Sequence, residues 1–307
     1  MLLIVLPAAP GAAQAQEPGP TFRAGVALVK VDARVVARDG RPVRGLESAD
    51  FQVFDEGEPQ KVVHFGREAE PLDLVLLVDS SGSMFRRLNE LASTARAALA
   101  PLGTQDRVAV IVFARRAAVR QELTGNTAEV EREIRDAARD ESLGSGTAIN
   151  AGIIFAARYL ARQPVRGQRA ILVVTDNQGL NYQVPDEDVI RELYAADAVL
   201  NAILFGRQRK PDLVKPGRYV NPDFTPTDVF QLARETGGEA VESREAARSF
   251  QQMIEGIRAR YSLQYAAPAQ TVGQFRRIRV ELTPDVRKRH PDAAVYARAG
   301  YFSAAGR

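Results

Sequence analysis

The chain has 307 residues, of which 45% are hydrophobic and 26% charged, a composition typical of a globular protein with one large or two smaller domains. Its 41 basic and 38 acidic side chains leave a net charge of only +3, and no basic face interleaved with aromatics stands out, so we expect no nucleic-acid partner. The absence of cysteine excludes thiol nucleophiles, disulfides and cysteine-ligated metals, and only His64 and His290 could supply an imidazole.

The first residues of the chain are typical of an export signal. An apolar run, Met1 to Leu6, leads into small residues and the cleavage-like sequence Ala13-Gln14-Ala15, although the usual positively charged leader is missing. We expect residues 1–15 to be a signal peptide, and the mature chain to be periplasmic or secreted. No later stretch approaches the roughly 18 to 20 apolar residues of a membrane span, so we expect no transmembrane segment in the mature chain.

Residues 21–68 predict a small all-β segment. Every second residue from Val29 to Val35 is apolar, a period of two that is typical of a half-buried strand. Asp39-Gly40 follows as a hairpin turn signal. Two more strands are expected, at Phe51–Phe54 and Lys61–Phe65.

At Leu72 the pattern changes to that of a buried parallel sheet. Leu72–Val78 is apolar except at Asp73, as in strands that helices cover on both faces. Helix-like and strand-like segments then alternate, which predicts a doubly wound, mostly parallel α/β domain over residues 70–260. The expected helices are Arg86–Ala100, Thr127–Arg139, Ala148–Ala161, Asp186–Ala196, Thr227–Glu235 and Ala246–Arg260. The expected further strands are Arg107–Phe113, Val119–Leu123, Ala170–Thr175, Val199–Phe205 and Glu239–Val241.

Residues 261–303 return to strand patterns. In the middle of this segment, Arg276, Arg277 and Arg279 are expected on the exposed face of a strand. Neither flank holds enough strands to bury a core alone, so we expect 21–68 and 261–303 to pair into one β-sandwich with the α/β domain inserted between them. The expected strands are Tyr261–Tyr265, Phe275–Leu282 and Val295–Phe302.

Oxygen-bearing side chains follow the predicted strands at three places. Asp79-Ser80-Ser81-Gly82-Ser83 comes directly after the first buried strand, at the carboxyl edge of the sheet, where ligands of open α/β folds bind. Gly144-Ser145-Gly146-Thr147 precedes a helix, and Thr175-Asp176-Asn177 ends a later strand. The candidate site residues are Asp79, Ser81, Ser83, Thr147 and Asp176.

These five side chains are hard oxygen ligands, which favour magnesium, calcium or manganese over zinc or copper. Two carboxylates and three hydroxyls are too few strong ligands for a closed calcium cage, but they suit an octahedral ion that keeps some waters and leaves one position open. We therefore expect a divalent cation, Mg²⁺ first, with Ca²⁺ or Mn²⁺ as alternatives. An open position of this kind would accept an Asp or Glu carboxylate of a protein partner.

The same residues resemble the metal-ion-dependent adhesion site of the von Willebrand factor type A domains, written D-x-S-x-S, then Thr, then Asp. The resemblance covers roughly residues 70–260, and the flanks, such as VDARVVARDGRPVRGL and FRRIRVEL, are similar to those of bacterial proteins related to this family. It implies that the serines and the threonine contact the metal directly or through water, that the aspartates complete its shell, and that a ligand carboxylate takes the remaining position. It thus implies a metal-dependent protein-binding module with no catalytic residues.

Two departures from the family and three alternatives stay open at this stage. The family commonly has Asp-Gly at the third loop, where this chain has Asp176-Asn177, and residues 206–223 form either a specificity loop or a surface excursion. Ser83 and Thr147 could simply cap helices. The domain could instead be a structural scaffold of an envelope assembly that binds partners away from the metal. A metal-dependent hydrolase is the third alternative, but the sequence offers no general base beside the predicted ligands.

Overall fold

The computed structural model describes residues 28–67, 70–137, 142–144, 146–177, 184–206, 228–268 and 272–303. The predicted signal peptide and almost all of the 206–223 loop lie outside these ranges. The strands are β1 (Leu28–Val36), β2 (Phe51–Asp55), β3 (Glu58–Gln60), β4 (Val62–Gly66), β5 (Leu72–Asp79), β6 (Arg107–Phe113), β7 (Ala117–Thr124), β8 (Gln168–Thr175), β9 (Val199–Phe205), β10 (Ala240–Ser243), β11 (Tyr261–Ala266), β12 (Phe275–Leu282), β13 (Ala294–Ala297) and β14 (Gly300–Phe302). The helices are α1 (Phe85–Ala98), α2 (Thr127–Ala137), α3 (Ile149–Ala161), α4 (Asp186–Ala195), α5 (Val229–Glu235), α6 (Ala246–Arg258) and α7 (Pro284–Arg289).

The middle of the chain forms a six-stranded sheet in the order β10-β9-β8-β5-β6-β7. Its strands are parallel except β7, which runs antiparallel to β6. Every residue of β5 and of β8 is buried, because helices cover both faces. Helices α1, α2 and α6 pack on one face, and α3, α4 and α5 pack on the other. The prediction of a doubly wound, mostly parallel α/β domain is confirmed.

The two flanking segments form a sandwich of two four-stranded sheets, ordered β13-β1-β11-β4 and β14-β12-β2-β3. Each sheet takes strands from both flanks, since β1 pairs with β11 and β2 pairs with β12. Side chains of all four of these strands meet in one core, in which Val31, Val53, Leu263 and Val280 are at most 8% exposed. The predicted fold class, an α/β domain inserted between flanks that form a β-sandwich, is confirmed.

This interleaving predicts that neither flank folds alone. A peptide of residues 28–67 contains β1 to β4 but lacks β11 and β12, the strands that pair with β1 and β2. We expect its far-ultraviolet circular dichroism to be that of an unfolded chain, and trypsin to digest it at rates at least tenfold above those of the same segment in the full protein. An isolated peptide with a cooperative thermal transition would contradict the interleaved sandwich.

Three details of the secondary structure in the flanks differ from the sequence prediction. The hairpin predicted at Asp39-Gly40 is reduced to one isolated β-bridge, between Val36 and Pro42. The reason is that β1 and β2 belong to different sheets. The predicted strand Val295–Phe302 is two strands in different sheets, β13 and β14, because the chain crosses between the sheets at Arg298 and Ala299. Helix α7 was not predicted, although Pro284 stands at its first turn, a position that favours helix initiation.

Arg276 also differs from its predicted environment, whereas Arg277 and Arg279 are exposed as expected. Residues two apart on a strand share a face, so Arg276 lies on the same face as Ile278 and Val280, which point into the core. Its guanidinium group forms an ion pair with the fully buried Asp55, with a nitrogen–oxygen distance of 2.7 Å.

The sandwich is attached to the amino edge of the α/β sheet. Lys30 of β1 donates to the carbonyl of Gly167, which precedes β8, at 2.6 Å. Arg298 pairs with Asp197, which precedes β9, at 2.7 Å, and the buried Arg260 donates to the carbonyl of Gly237 at 2.9 Å. The carboxyl edge, which carries the predicted metal ligands, is therefore at the opposite end of the sheet from the sandwich. Among the described residues, no helix has the length and hydropathy to cross a membrane.

Candidate metal centre

The predicted ligands lie where three loops meet at the carboxyl end of β5. Asp79 is the last residue of β5, and the neighbouring parallel strand β8 ends at Thr175, one residue before Asp176. On the other side of β5, the Ser80 amide donates to the Phe113 carbonyl at the end of β6, at 2.8 Å. The Ala148 amide donates to the next carbonyl, of Ala114, also at 2.8 Å, and this bond places Thr147 beside the same strand end.

Asp79 is the buried centre of the arrangement, with no exposed surface. Its Oδ1 accepts a hydrogen bond from the Ser81 amide at 2.9 Å, and its Oδ2 accepts one from the Thr175 hydroxyl at 2.6 Å. Burial raises the pKa of this carboxyl group to about 6, against the lowering effect of these hydrogen bonds, and the nearby charge of Asp176 adds to the increase. The ionised carboxylate is thus held in a place where its hydrogen bonds only partly compensate its lost hydration, and a nearby positive charge would stabilise it further.

The three hydroxyl groups are not used as helix caps. Met84 is the N-cap of α1 and Ala148 is the N-cap of α3, and neither helix has a side-chain capping hydrogen bond. The Ser81 and Ser83 hydroxyl oxygens instead lie 3.2 Å from each other. Thr147 is 3% exposed. The capping interpretation therefore does not account for Ser83 and Thr147.

The third loop turns sharply after β8. Asn177 has a φ of +55°, a left-handed conformation that asparagine tolerates better than most residues, and its amide donates to the Thr175 hydroxyl at 3.0 Å. Asn177 therefore takes the backbone conformation that favours glycine, which the related family commonly has here. Asp176 is 8% exposed at this turn. Compared with a glycine, Asn177 keeps the turn and adds a side chain beside Asp176.

Thr175 is a residue of the candidate site that the sequence analysis did not select as a ligand. Its hydroxyl donates to Asp79 and accepts from the Asn177 amide, so it joins the ends of β5 and β8. The sequence did contain a signal for this residue. A threonine is the last residue of a buried apolar strand and stands immediately before a candidate aspartate ligand.

The residues present fit a hard divalent cation. Carboxylate and hydroxyl oxygens are the donors that Mg²⁺, Ca²⁺ and Mn²⁺ prefer, and the partly exposed Ser81 and exposed Ser83 leave the site open to solvent. Within the described ranges, no group of three or more His, Cys, Asp or Glu side chains could hold a metal, so this centre depends on its hydroxyl groups. His64 lies in β4 and His290 follows α7, both in the sandwich.

The fold and site together define a doubly wound α/β domain with an oxygen-lined candidate site for a cation at its carboxyl edge. Residues 74–178 match the family model of the von Willebrand factor type A domain, a segment that runs from β5 to just beyond Asp176 and contains all five predicted ligands. The sequence-based recognition of such a domain is confirmed over this segment. A comparison with curated proteins finds no match.

Three of the solved structures that match this chain are each less than 20% identical to it. An aerotolerance-related membrane protein from Bacteroides fragilis is 19% identical, with 61% of this chain and 98% of that chain covered and a TM-score of 0.44. A von Willebrand factor type A protein from Catenulispora acidiphila is 12% identical, with 93% and 75% covered and a TM-score of 0.46. Proximal thread matrix protein 1 of the mussel byssus, whose structure has a zinc-occupied MIDAS motif, is 16% identical, with 67% and 50% covered and a TM-score of 0.48.

Proposed function

We propose that this protein is a metal-dependent protein-binding module. The observation that carries the proposal is the buried Asp79, whose carboxylate accepts from the Ser81 amide and the Thr175 hydroxyl at the edge of the sheet where the three loops meet. Asp79, Ser81, Ser83, Thr147 and Asp176 would hold a divalent cation, most suitably Mg²⁺, with Ca²⁺ or Mn²⁺ as substitutes. When bound, the cation would supply a coordination position for a carboxylate of the partner.

The residues of the chain orient this site toward a partner. The Thr175 hydroxyl and the Ser81 amide each donate to one oxygen of Asp79, which fixes the orientation of the carboxylate. Phe85, at the start of α1, is 50% exposed next to Ser83 and Met84, and so adds an apolar contact of the kind that is enriched at interfaces. The sandwich occupies the opposite edge of the sheet and leaves this face accessible.

We propose binding rather than catalysis at this site. Asp79 and Asp176 are assigned to the metal, and a hydrolase would need a further group to act as general base. Both histidines of the chain lie in the sandwich, whereas the predicted ligands lie at the far edge of the α/β sheet. The leader-like residues 1–15 support a periplasmic or secreted location for the binding function.

A direct test uses the mature protein loaded with Mn²⁺ and a blocked pentapeptide, Gly-Ser-Asp-Ser-Gly. A carboxylate that enters the coordination sphere of Mn²⁺ brings its neighbouring protons close to a paramagnetic ion. We expect the wild-type protein to increase the relaxation rate of the aspartate β-protons several-fold. The matched controls are the same peptide with Asn in place of Asp, and the Asp79→Ala protein at equal total Mn²⁺.

The outcomes separate the proposed function from its main alternative. If the relaxation rate of the peptide protons increases only when both the peptide carboxylate and Asp79 are present, the result supports ligand binding at the metal. Mn²⁺ binding by the wild-type protein without any effect on the peptide would contradict the proposal. The structural scaffold, which contacts its partners away from the metal, would then be the better account.

A further inference from the structure

From Val31 onward, strand β1 is buried on both faces, and the face opposite the sandwich core is charged. The alternating sequence of this strand predicts a half-buried strand with its charges in water. In the structure, Asp32 and Arg34 are each only 5% exposed, because this face lies against the amino edge of the α/β sheet. A cavity of about 10 Å³ separates Asp32 from Ala198 of the α/β domain. The two domains therefore meet through a charged layer.

This domain junction contains buried polar atoms that are not paired. They lie on β1, at the start of β8, and on the residues that lead into and begin β11. The atoms without a hydrogen bond of standard geometry, among the described residues, are Asp32 Oδ1, Arg34 Nε, Gln168 Oε1, Arg169 Nε, Arg260 Nε and Ser262 Oγ. An unpaired buried polar atom opposes the burial of the surface that carries it, so the junction is held less firmly than an apolar core.

The buried charges of the junction are only partly compensated. Burial lowers the pKa of Arg260 to about 9, and the charge of Arg34 adds to the decrease. Burial also raises the pKa of Asp32, although its Oδ2 lies 3.6 Å from the Nζ atom of Lys30. In both groups the charged form is less favourable in the junction than in water. Exposure of the layer to water would therefore stabilise the same charges.

Other contacts would keep the domains joined if this layer were exposed. Tyr194 of α4 stacks on Phe275 of β12, with ring centroids 6.1 Å apart, and Phe302 of β14 also contacts this tyrosine. The chain passes between the domains twice, from β4 to β5 and from α6 to β11. The second link consists of only Ala259 and Arg260. Separation of the charged layer would thus be a limited rotation.

From these observations we propose that the junction is a hinge: the charged layer between β1 and the amino edge of the α/β sheet opens to water while the α/β domain and the sandwich both stay folded. Polar interfaces between domains permit such relative motion, and local opening of this kind costs less than global unfolding. The apolar cores would be unaffected, since those of the α/β domain and of the sandwich are separate clusters. Opening would turn the edge that carries the candidate metal centre relative to the sandwich.

Because the chain has no cysteine, thiol labelling of single-cysteine variants tests this inference directly. Ser262→Cys places a thiol in the junction, at a position with no exposed surface. Val31→Cys is the matched control, because Val31 is equally buried but points into the sandwich core. Labelling rates under native conditions, divided by those of the same variants in urea, measure the exposed fraction. We expect Ser262→Cys to react about a hundredfold or more faster than Val31→Cys.

Two further substitutions show whether the exposure is local. Lys30→Met removes the ion pair with Asp32 and the hydrogen bond to the Gly167 carbonyl, so it should speed the labelling of Ser262→Cys about tenfold or more. Val53→Ala leaves a cavity in the sandwich core, so it should speed the labelling of Val31→Cys and leave that of Ser262→Cys unchanged.

A second probe keeps the test valid if Ser262→Cys does not fold. Ala198→Cys enters the junction from the α/β side, and its labelling should follow the behaviour expected of Ser262→Cys. Fast labelling of a junction probe that Lys30→Met increases and Val53→Ala does not change supports the hinge. Labelling of the junction probes as slow as that of Val31→Cys, or accelerated to the same extent by Val53→Ala, would mean that only global unfolding exposes the junction, and would overturn the inference.

Discussion

Substitution of Asp79 by Ala should abolish the stabilisation of this protein by Mg²⁺. A ligand that binds only the folded state stabilises it by RT ln(1 + [L]/Kd), about 2.7 kcal/mol at a concentration 100 times Kd. At about 2 to 4 °C per kcal/mol for a domain of this size, that corresponds to a rise in Tm of about 5 to 10 °C. The wild-type protein should show this rise in a Mg²⁺ titration of thermal unfolding, and the Asp79→Ala variant should show none.

Without metal, the same variant should lose little stability. The raised pKa of Asp79, about 6 against 3.8 in a model peptide, means that at pH 7 its ionised form opposes folding. Removal of the charge therefore offsets the loss of the hydrogen bonds from Ser81 and Thr175. Asp285→Ala, at a side chain that is 87% exposed on α7, is the control and should keep the full Mg²⁺ response. A Mg²⁺-dependent rise in Tm that persists in Asp79→Ala would contradict the assignment of the ligand set.

Substitution of Asp55 by Ala should destabilise the β-sandwich by about 3 to 5 kcal/mol, the effect of removing one partner of a buried ion pair. Asp55 has no exposed surface and accepts hydrogen bonds from Tyr265 at 2.8 Å, from Tyr301 at 2.9 Å and from Arg276 at 2.7 Å. Burial and the bond to Asp55 raise the pKa of Tyr265, so the tyrosine stays a hydrogen-bond donor. All three donors belong to the second flank, and the loss would therefore weaken the association of the two flanks.

Urea unfolding followed by tyrosine fluorescence measures this change. The matched control is Glu281→Ala. Glu281 is a partly exposed ion-pair partner of Arg279, and both residues lie on β12, the strand that also carries Arg276. Exposed pairs of this kind contribute at most about 1 kcal/mol, so the control should shift the unfolding midpoint little. A loss below about 1 kcal/mol for Asp55→Ala would mean that the network does not hold the flanks together.

The architecture of the α/β domain could be predicted from the sequence because its signals are local. Leu72–Val78 is a continuous apolar run, which identifies a strand buried on both faces without reference to any other part of the chain. Asp79, Ser81 and Ser83 then follow at the end of that strand, where the rule for open α/β sheets places ligands. The insertion between two β flanks followed from the change of pattern at Leu72 and after Arg260.

The arrangement inside the sandwich could not be predicted in the same way, because it depends on pairings between distant residues. Strand β1 pairs with β11, more than 200 residues further on, and a local hairpin signal at Asp39-Gly40 does not reveal that preference. The inward orientation of Arg276 is understandable only once Asp55 is known to face it. Thr175 likewise gains its role from the neighbouring end of β5.

The central claim is that three loops at the carboxyl edge form one divalent-cation site, and calorimetric titration tests it most directly. The purified mature protein would be titrated with Mg²⁺, Ca²⁺ and Mn²⁺, beside the Asp79→Ala variant. We predict saturable binding at one site per chain that is lost in the variant. Absence of binding by the wild-type protein for all three cations, with and without a carboxylate such as acetate, would contradict the claim.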